Sequence, residues 1–228
     1  MRRYRRTTAL AVNFGYRRDR RTTSDEDALI GDAGDGRIDC AALFGRSAPL
    51  RLEFGCGHGE FISQMAAAHP EVDFIGVEVD WLRVNKCAHK CMKADARNVR
   101  LYAGEAAAFI TRLPDAAFER IYILFPDPWP KLAHRRRRLV NRAFLLELAR
   151  VAAPGCRLVF ASDTHNYAMQ VLANVSTIPG RWRSLHPSGY RIDVPVRFET
   201  VFERHKRAEG CTIANVQLER TSTPNSAK

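Results

Sequence analysis

The sequence predicts a doubly wound α/β fold, a mostly parallel sheet with helices on both faces. Two observations predict it: short, largely apolar runs alternate with amphipathic stretches from residue 50 to residue 176, and glycine- or acid-rich turns sit where the runs end. Residues 50–54 form the first strand, and residues 58–68 a helix that His69 and Pro70 end. Residues 73–79 are a second buried strand, followed by a helix over 81–94. A third strand spans 98–103 and a short helix 106–112. A fourth strand covers 120–125, and a strongly amphipathic helix covers 139–152, stopping before Pro154 and Gly155. Residues 157–162 give the fifth strand and 165–176 the fifth helix. Beyond about residue 186 the alternation breaks down, and 194–202 and 212–218 read as two further strands forming an antiparallel C-terminal edge. A fold of this kind takes its ligands at the carboxyl ends of the strands.

The flanks differ from this middle. Residues 1–36 carry Arg2, Arg3, Arg5, Arg6, Arg17, Arg18, Arg20 and Arg21 among Thr, Asp and Gly, without an apolar period. They read as a disordered basic arm, with one domain over 37–220 and a frayed tail over 221–228. The chain of 228 residues holds 36 Lys and Arg against 25 Asp and Glu, a net charge of +11 that suits a polyanionic partner. No apolar run approaches the ~18 residues that cross a bilayer, and the arginine-rich start has no apolar h-region, so a membrane role and secretion are not expected. A reduced, cytoplasmic setting is the default. The six cysteines include no CxxC pair. On a helix Cys87 and Cys91 share a face while His89 points away, so no metal site is expected there.

Glu53-Phe54-Gly55-Cys56-Gly57-His58-Gly59 follows the first strand and opens the first helix. Glycines there let the backbone turn tightly and lie close against a ligand. Glu78 ends the second strand, placed to accept hydrogen bonds from both hydroxyls of a ribose. A nicotinamide dinucleotide and S-adenosylmethionine both meet these two conditions. The glycines, however, run GxGxG rather than the GxGxxG that carries a pyrophosphate, and the acid Glu53 precedes them. A carboxylate repels a pyrophosphate but suits a ligand with a sulfonium and an ammonium group, which favours S-adenosylmethionine. Glu105, just after the third strand, is placed to meet an adenine amino group.

The most specific stretch is Phe125-Pro126-Asp127-Pro128-Trp129-Pro130-Lys131, leading into His134 and the run Arg135, Arg136, Arg137 and Arg138. Three prolines lock the backbone into extended or turn geometry, so Asp127 is held rigidly at a strand end beside the expected cofactor. Trp129 is suited equally to stacking on a base or plugging the loop onto the core. Lys131 and the arginines form a cationic surface at the same mouth, suited to phosphate.

These segments resemble the bacterial tRNA (guanine-N7)-methyltransferase family. The resemblance rests on FPDPWPK followed by HRRRRL, on LEFGCGHGEF upstream, on Ala161-Ser162-Asp163 after the fifth strand, and on Thr200-Val201-Phe202-Glu203-Arg204. It covers roughly residues 45–220. It implies a Rossmann-like class I methyltransferase fold and methyl transfer from S-adenosylmethionine to N7 of a variable-loop guanosine, position 46 of tRNA. It implies that Glu53, Glu78, Glu105 and Asp127 contact the cofactor, beside Gly55, Gly57 and Gly59. Lys131, Asp163, Thr200, Val201, Phe202 and Glu203 would contact the tRNA, with Asp127 as the catalytic group. Position 105 is Glu where the family more often has Asp or Asn, and Thr164 stands where an aromatic residue is common. Rival readings are a methyltransferase acting on another RNA or a protein, and a non-catalytic RNA-binding homologue. The sequence leaves monomer and homodimer both open.

Overall fold

The computed structural model describes residues 36–194 and 198–222. Nearly all of the expected basic arm and of the expected frayed tail lies outside them. The elements run α1 (Cys40–Phe44), β1 (Leu50–Phe54), α2 (Glu60–Ala68), β2 (Asp73–Glu78), α3 (Trp81–Lys93), β3 (Val99–Ala103), α4 (Ala106–Ile110) and β4 (Phe118–Leu124). A 3-10 segment (Leu132–Arg137), α5 (Arg142–Val151), β5 (Ala152–Ser162), α6 (His165–Ser176), β6 (Trp182–Ser184), β7 (Arg191–Ile192), α7 (Val201–Ala208) and β8 (Ala214–Arg220) follow.

The sheet order is β3-β2-β1-β4-β5-β8-β6, with β7 paired to β8. Strands β1 to β5 are mutually parallel, and β8 runs antiparallel between β5 and β6. The sheet is therefore doubly wound with an antiparallel C-terminal region, as expected. Strand order reverses between β1 and β4, and that switch point opens a crevice at their carboxyl ends.

Two apolar clusters hold the layers. On one face Phe54, Ile121, Ile123, Leu158 and Phe160 pack under α4, α5 and α6, with Phe144 of α5 edge-on to Phe54 at 5.2 Å. On the other, Ile62 of α2 and Val84, Cys87 and Cys91 of α3 cover Phe74, Leu101 and Tyr122. Asp80 caps α3, accepting from the backbone N–H of Leu82 and Arg83. That cap fixes the helix so that Cys87 and Cys91 point into the core while His89 is exposed, as the helical spacing requires. Among the described residues, no helix is long and apolar enough to cross a membrane.

Two expectations fail. The described residues of 194–202 form no strand: Thr200 is the N-cap of α7, and its hydroxyl accepts from the Glu203 N–H at 3.0 Å. Thr followed three residues later by Glu is a capping signature, and it outweighs the β-propensity of Val201 and Phe202. Strand β5 also begins at Ala152 rather than 157, so Pro154 and Gly155 lie inside it. The register against β4 shifts between Phe118 and Arg120, and such an irregularity is where a proline and a positive-φ glycine fit a strand.

Candidate functional site

At the switch point lies a cleft of about 610 Å³. Gly55 after β1, Glu78 at the end of β2, Glu105 after β3 and Asp127 after β4 all line it. Each stands at the carboxyl end of a neighbouring parallel strand, so four sequence-distant residues share one wall for a topological reason.

The glycine loop is built around Glu78. Its carboxylate is buried and accepts from the backbone N–H of Gly57 at 3.1 Å and of Asp80 at 3.0 Å. One side chain therefore pins both the loop after β1 and the start of α3. Gly59 has φ +79, and a Cβ there would stand 2.5 Å from the Cys87 sulfur. Only glycine allows this turn and this approach of α2 to α3.

Glu53 is buried, and its Oε2 has no hydrogen-bond partner. Burial, reinforced by the carboxylates of Glu60 and Glu78, pushes its carboxyl up to about 8. A buried acid in this state is satisfied by a cationic ligand group. The donor set therefore fits an ammonium-bearing ligand. Glu53 itself does not line the cleft but precedes Phe54 and Gly55, which do.

The segment after β4 is extended and strained. Phe125, just before Pro126, and Trp129, between Pro128 and Pro130, hold positive φ values of 52 and 41. Asp127 is exposed at its tip. Trp129 is half-buried, with the Arg137 guanidinium 4.9 Å above its ring and His134 edge-on at 6.0 Å. Arg136 and Arg137 line the cleft and are exposed, whereas Lys131 is exposed but lies off the cleft wall.

Arg138 corrects the reading of the arginine run as one phosphate-binding surface. It is 1% exposed and lies 4.6 Å over the Tyr167 ring. It donates to the Pro128 carbonyl at 2.7 Å, to Asn166 Oδ1 at 2.6 Å and to Gln170 Oε1 at 2.7 Å. Such a guanidinium clamps the proline loop to α6 and is not offered to a phosphate.

Asp163 is half-buried at the end of β5, within electrostatic reach of Lys206 on α7. Thr200 and Glu203 form the cap of α7, and Val201 and Phe202 are exposed on its first turn. The Phe202 ring lies 5.1 Å from that of Phe125. Glu203 is buried and accepts from Arg207 at 2.7 Å; burial raises its carboxyl despite that partner. Arg207 also donates to Asp193 at 2.9 Å, which ties α7 to the turn after β7. The sequence reading missed Arg83, which lines the cleft from the first turn of α3. The signal available was its place in the sequence, five residues after Glu78 at the end of β2 and in the turn of helix that Asp80 caps.

The chain matches the family described as "Putative methyltransferase" over residues 47–216. It is 35% identical over 185 residues to a tRNA (guanine-N(7)-)-methyltransferase of Geobacter metallireducens, covering 81% of this chain and 88% of the relative. With the corresponding protein of Halorhodospira halophila it shares 38% over 176 residues, 77% of this chain and 76% of the relative. Among solved structures, a 16S rRNA (adenine(1408)-N(1))-methyltransferase from Catenulisporales acidiphilia superposes with a TM-score of 0.53 at 19% identity, covering 84% of this chain and 99% of that one. At that identity the likeness concerns the fold.

Proposed function

The chain belongs to the tRNA (guanine-N7)-methyltransferase family, and on that footing we propose that it transfers a methyl group from S-adenosylmethionine to N7 of a guanine in tRNA. The observation that carries this reading is the cleft where Gly55, Glu78, Glu105 and Asp127 meet, with the unpartnered Glu53 carboxyl directly behind it. S-adenosylmethionine supplies a methyl group on a sulfonium that is its own leaving group. Glu53 would hold the ammonium end, Glu78 the ribose hydroxyls, and Glu105 the adenine edge. Gly55, Gly57 and Gly59 let the backbone lie close enough for that.

Guanine N7 carries a lone pair and no proton, so the chain needs no general base for it. Its task is to align nucleophile and methyl carbon, which is catalysis by orientation. Positive charge reaches the purine as the bond forms, and the Asp127 carboxylate, fixed by its prolines, stabilises it and accepts from the base N1–H or amino group. Lys131, Asp163 and the start of α7 at Thr200, Val201, Phe202 and Glu203 position the tRNA around that base. Arg136 and Arg137 supply phosphate contacts at the mouth. We assign the variable-loop guanosine at position 46 as the target and the cytoplasm as the setting. On this reading the chain divides into a basic arm over residues 1–36, the methyltransferase domain over 37–220 and a tail over 221–228.

The test is incubation with labelled S-adenosylmethionine and unmodified bulk tRNA, followed by nucleoside analysis. 7-Methylguanosine is the expected product. Cofactor binding without label in tRNA would move the assignment to another acceptor.

A further inference from the structure

Away from the cleft, one level of the sheet carries an unusual row of side chains. Arg51 on β1 is in register with Arg120 on β4, and Arg120 with Arg157 on β5. Arg157 faces Glu219 on β8, which faces Arg183 on β6. The row lies on the α2/α3 side, because Arg51 sits over the Phe74 ring, 5.7 Å from its centroid, in the cluster those helices cover. Helices α2 and α3 shield β1 to β3, whereas Arg157 and Arg183 remain exposed.

Carboxylates do not balance the row. Glu119 is taken by Arg51 at 2.7 Å and Glu219 by Arg183 at 2.6 Å. Among the described residues neither Arg120 nor Arg157 has an ion pair. Adjacent strands lie about 4.8 Å apart, and like charges directly opposite each other destabilise a sheet. Arg120 and Arg157, directly opposite each other and without an ion pair, therefore leave a site that an external anion would neutralise.

The row connects with the site. Phe198, just ahead of the α7 cap, packs against the apolar cluster on this same face, as Val159 and Leu124 also do. The helix that follows carries the exposed Arg204 and His205, with Arg204 3.8 Å from Glu199. Four strand steps separate Arg120 from Leu124 at the rim, or about 13 Å. The arginine row and the segment leading into α7 thus share one face of the sheet.

We propose that Arg120 and Arg157, flanked by Arg51 and Arg183, form a second contact for the sugar–phosphate backbone of the substrate RNA, outside the catalytic cleft. The proposal rests on tRNA being the substrate. Contacts of this kind fix a folded RNA's orientation without reading its bases. Arginine serves them well because its planar fork meets two phosphate oxygens at once.

The experiment compares wild type, Arg157→Glu and Arg157→Lys for tRNA binding across a salt series, with S-adenosylmethionine affinity and tRNA methylation measured alongside. Arg157 is exposed and unpaired, so its replacement leaves the fold intact, and unchanged cofactor affinity verifies this. For Arg157→Glu we expect tRNA affinity to weaken by about tenfold at low salt and the log–log salt slope to lose about one. Arg157→Lys should keep the slope. Affinity and slope within twofold of wild type in Arg157→Glu overturn the proposal and leave the row to an acidic protein partner. A wild type that forms no 7-methylguanosine would sink the assigned reaction instead, while the binding series still decides the contact.

Discussion

Phe202, exposed on the first turn of α7, rests with its ring 5.1 Å from Phe125, the positive-φ residue that leads into the Asp127 loop. These two rings join the helix expected to meet the tRNA to the loop that carries Asp127, the proposed catalytic group. An aromatic pair of this kind contributes about 0.5–1.5 kcal/mol beyond area burial. Phe202→Ala should raise KM for tRNA up to about tenfold while cofactor affinity stays unchanged. Steady-state kinetics with varied tRNA checks this; an unaltered KM would mean that the ring pair does not position the loop.

Asp127 is exposed at the loop tip, between Pro126 and Pro128. If its negative charge stabilises the methylated purine, Asp127→Asn should lower kcat by about 100-fold, the scale of losing one preorganised electrostatic group. Single-turnover methylation at saturating cofactor is the measurement. Retention within a few-fold would leave Asp127 an orienting role only.

Much of the fold is legible in the sequence because parallel strands buried on both faces are apolar almost throughout. The limits of β1 and α6 match the sequence reading residue for residue. At 194–202 the β-propensity of the valines and phenylalanines suggests a strand, while Thr200 and Glu203 carry a capping signal that decides the local structure. The grouping of Glu78, Glu105 and Asp127 is legible from strand ends alone, since topology brings those ends together. The fate of Arg138 is not. Four consecutive arginines look alike in sequence, and only the packing of Tyr167 and the acceptors on Pro128, Asn166 and Gln170 single one out.

That difference is measurable. Removing Arg138 leaves the part-buried Pro128 carbonyl and two side-chain amide oxygens without their charged donor and empties a buried side-chain site, so Arg138→Ala should destabilise by about 3 kcal/mol. Arg136→Ala, at an exposed position, should change stability by no more than about 0.5 kcal/mol but weaken tRNA binding. Urea unfolding and tRNA titration separate the two. Equal stability losses would show that Arg136 is as structural as its neighbour.

The Glu53 carboxyl gives a pH prediction. Its folded value is pushed up to about 8 from the ordinary 4.5. Between those values the folded protein keeps a proton that the unfolded chain has lost, so Glu53 makes the ligand-free protein less stable as pH rises through that window. Glu53→Gln should therefore raise Tm at pH 8 and change it little at pH 4.5. Binding the cofactor's ammonium needs the carboxylate, so wild-type affinity should rise with pH up to about 8, by as much as tenfold per unit. The Gln variant should bind weakly with a flat profile. Calorimetry in buffers of different ionisation enthalpy checks the proton release; a flat wild-type profile would remove Glu53 from the ammonium site.

Gly59 tests whether the loop's shape or merely its sequence matters. An alanine there would carry φ +79, and its Cβ would meet the Cys87 sulfur at 2.5 Å and the Cys87 backbone at 3.0 Å. The left-handed conformation costs an L-residue about 1–2 kcal/mol, and overpacking adds about 1–3 kcal/mol. Gly59→Ala should thus lose several kcal/mol in total and weaken cofactor binding, because the displaced α3 carries Asp80, whose N–H holds Glu78. Adding Cys87→Ala removes the sulfur but leaves both the clash with the helix backbone and the φ strain, so the double variant should recover only part of the stability. Full recovery would locate the whole penalty in the sulfur and show that the left-handed turn at Gly59 tolerates a side chain.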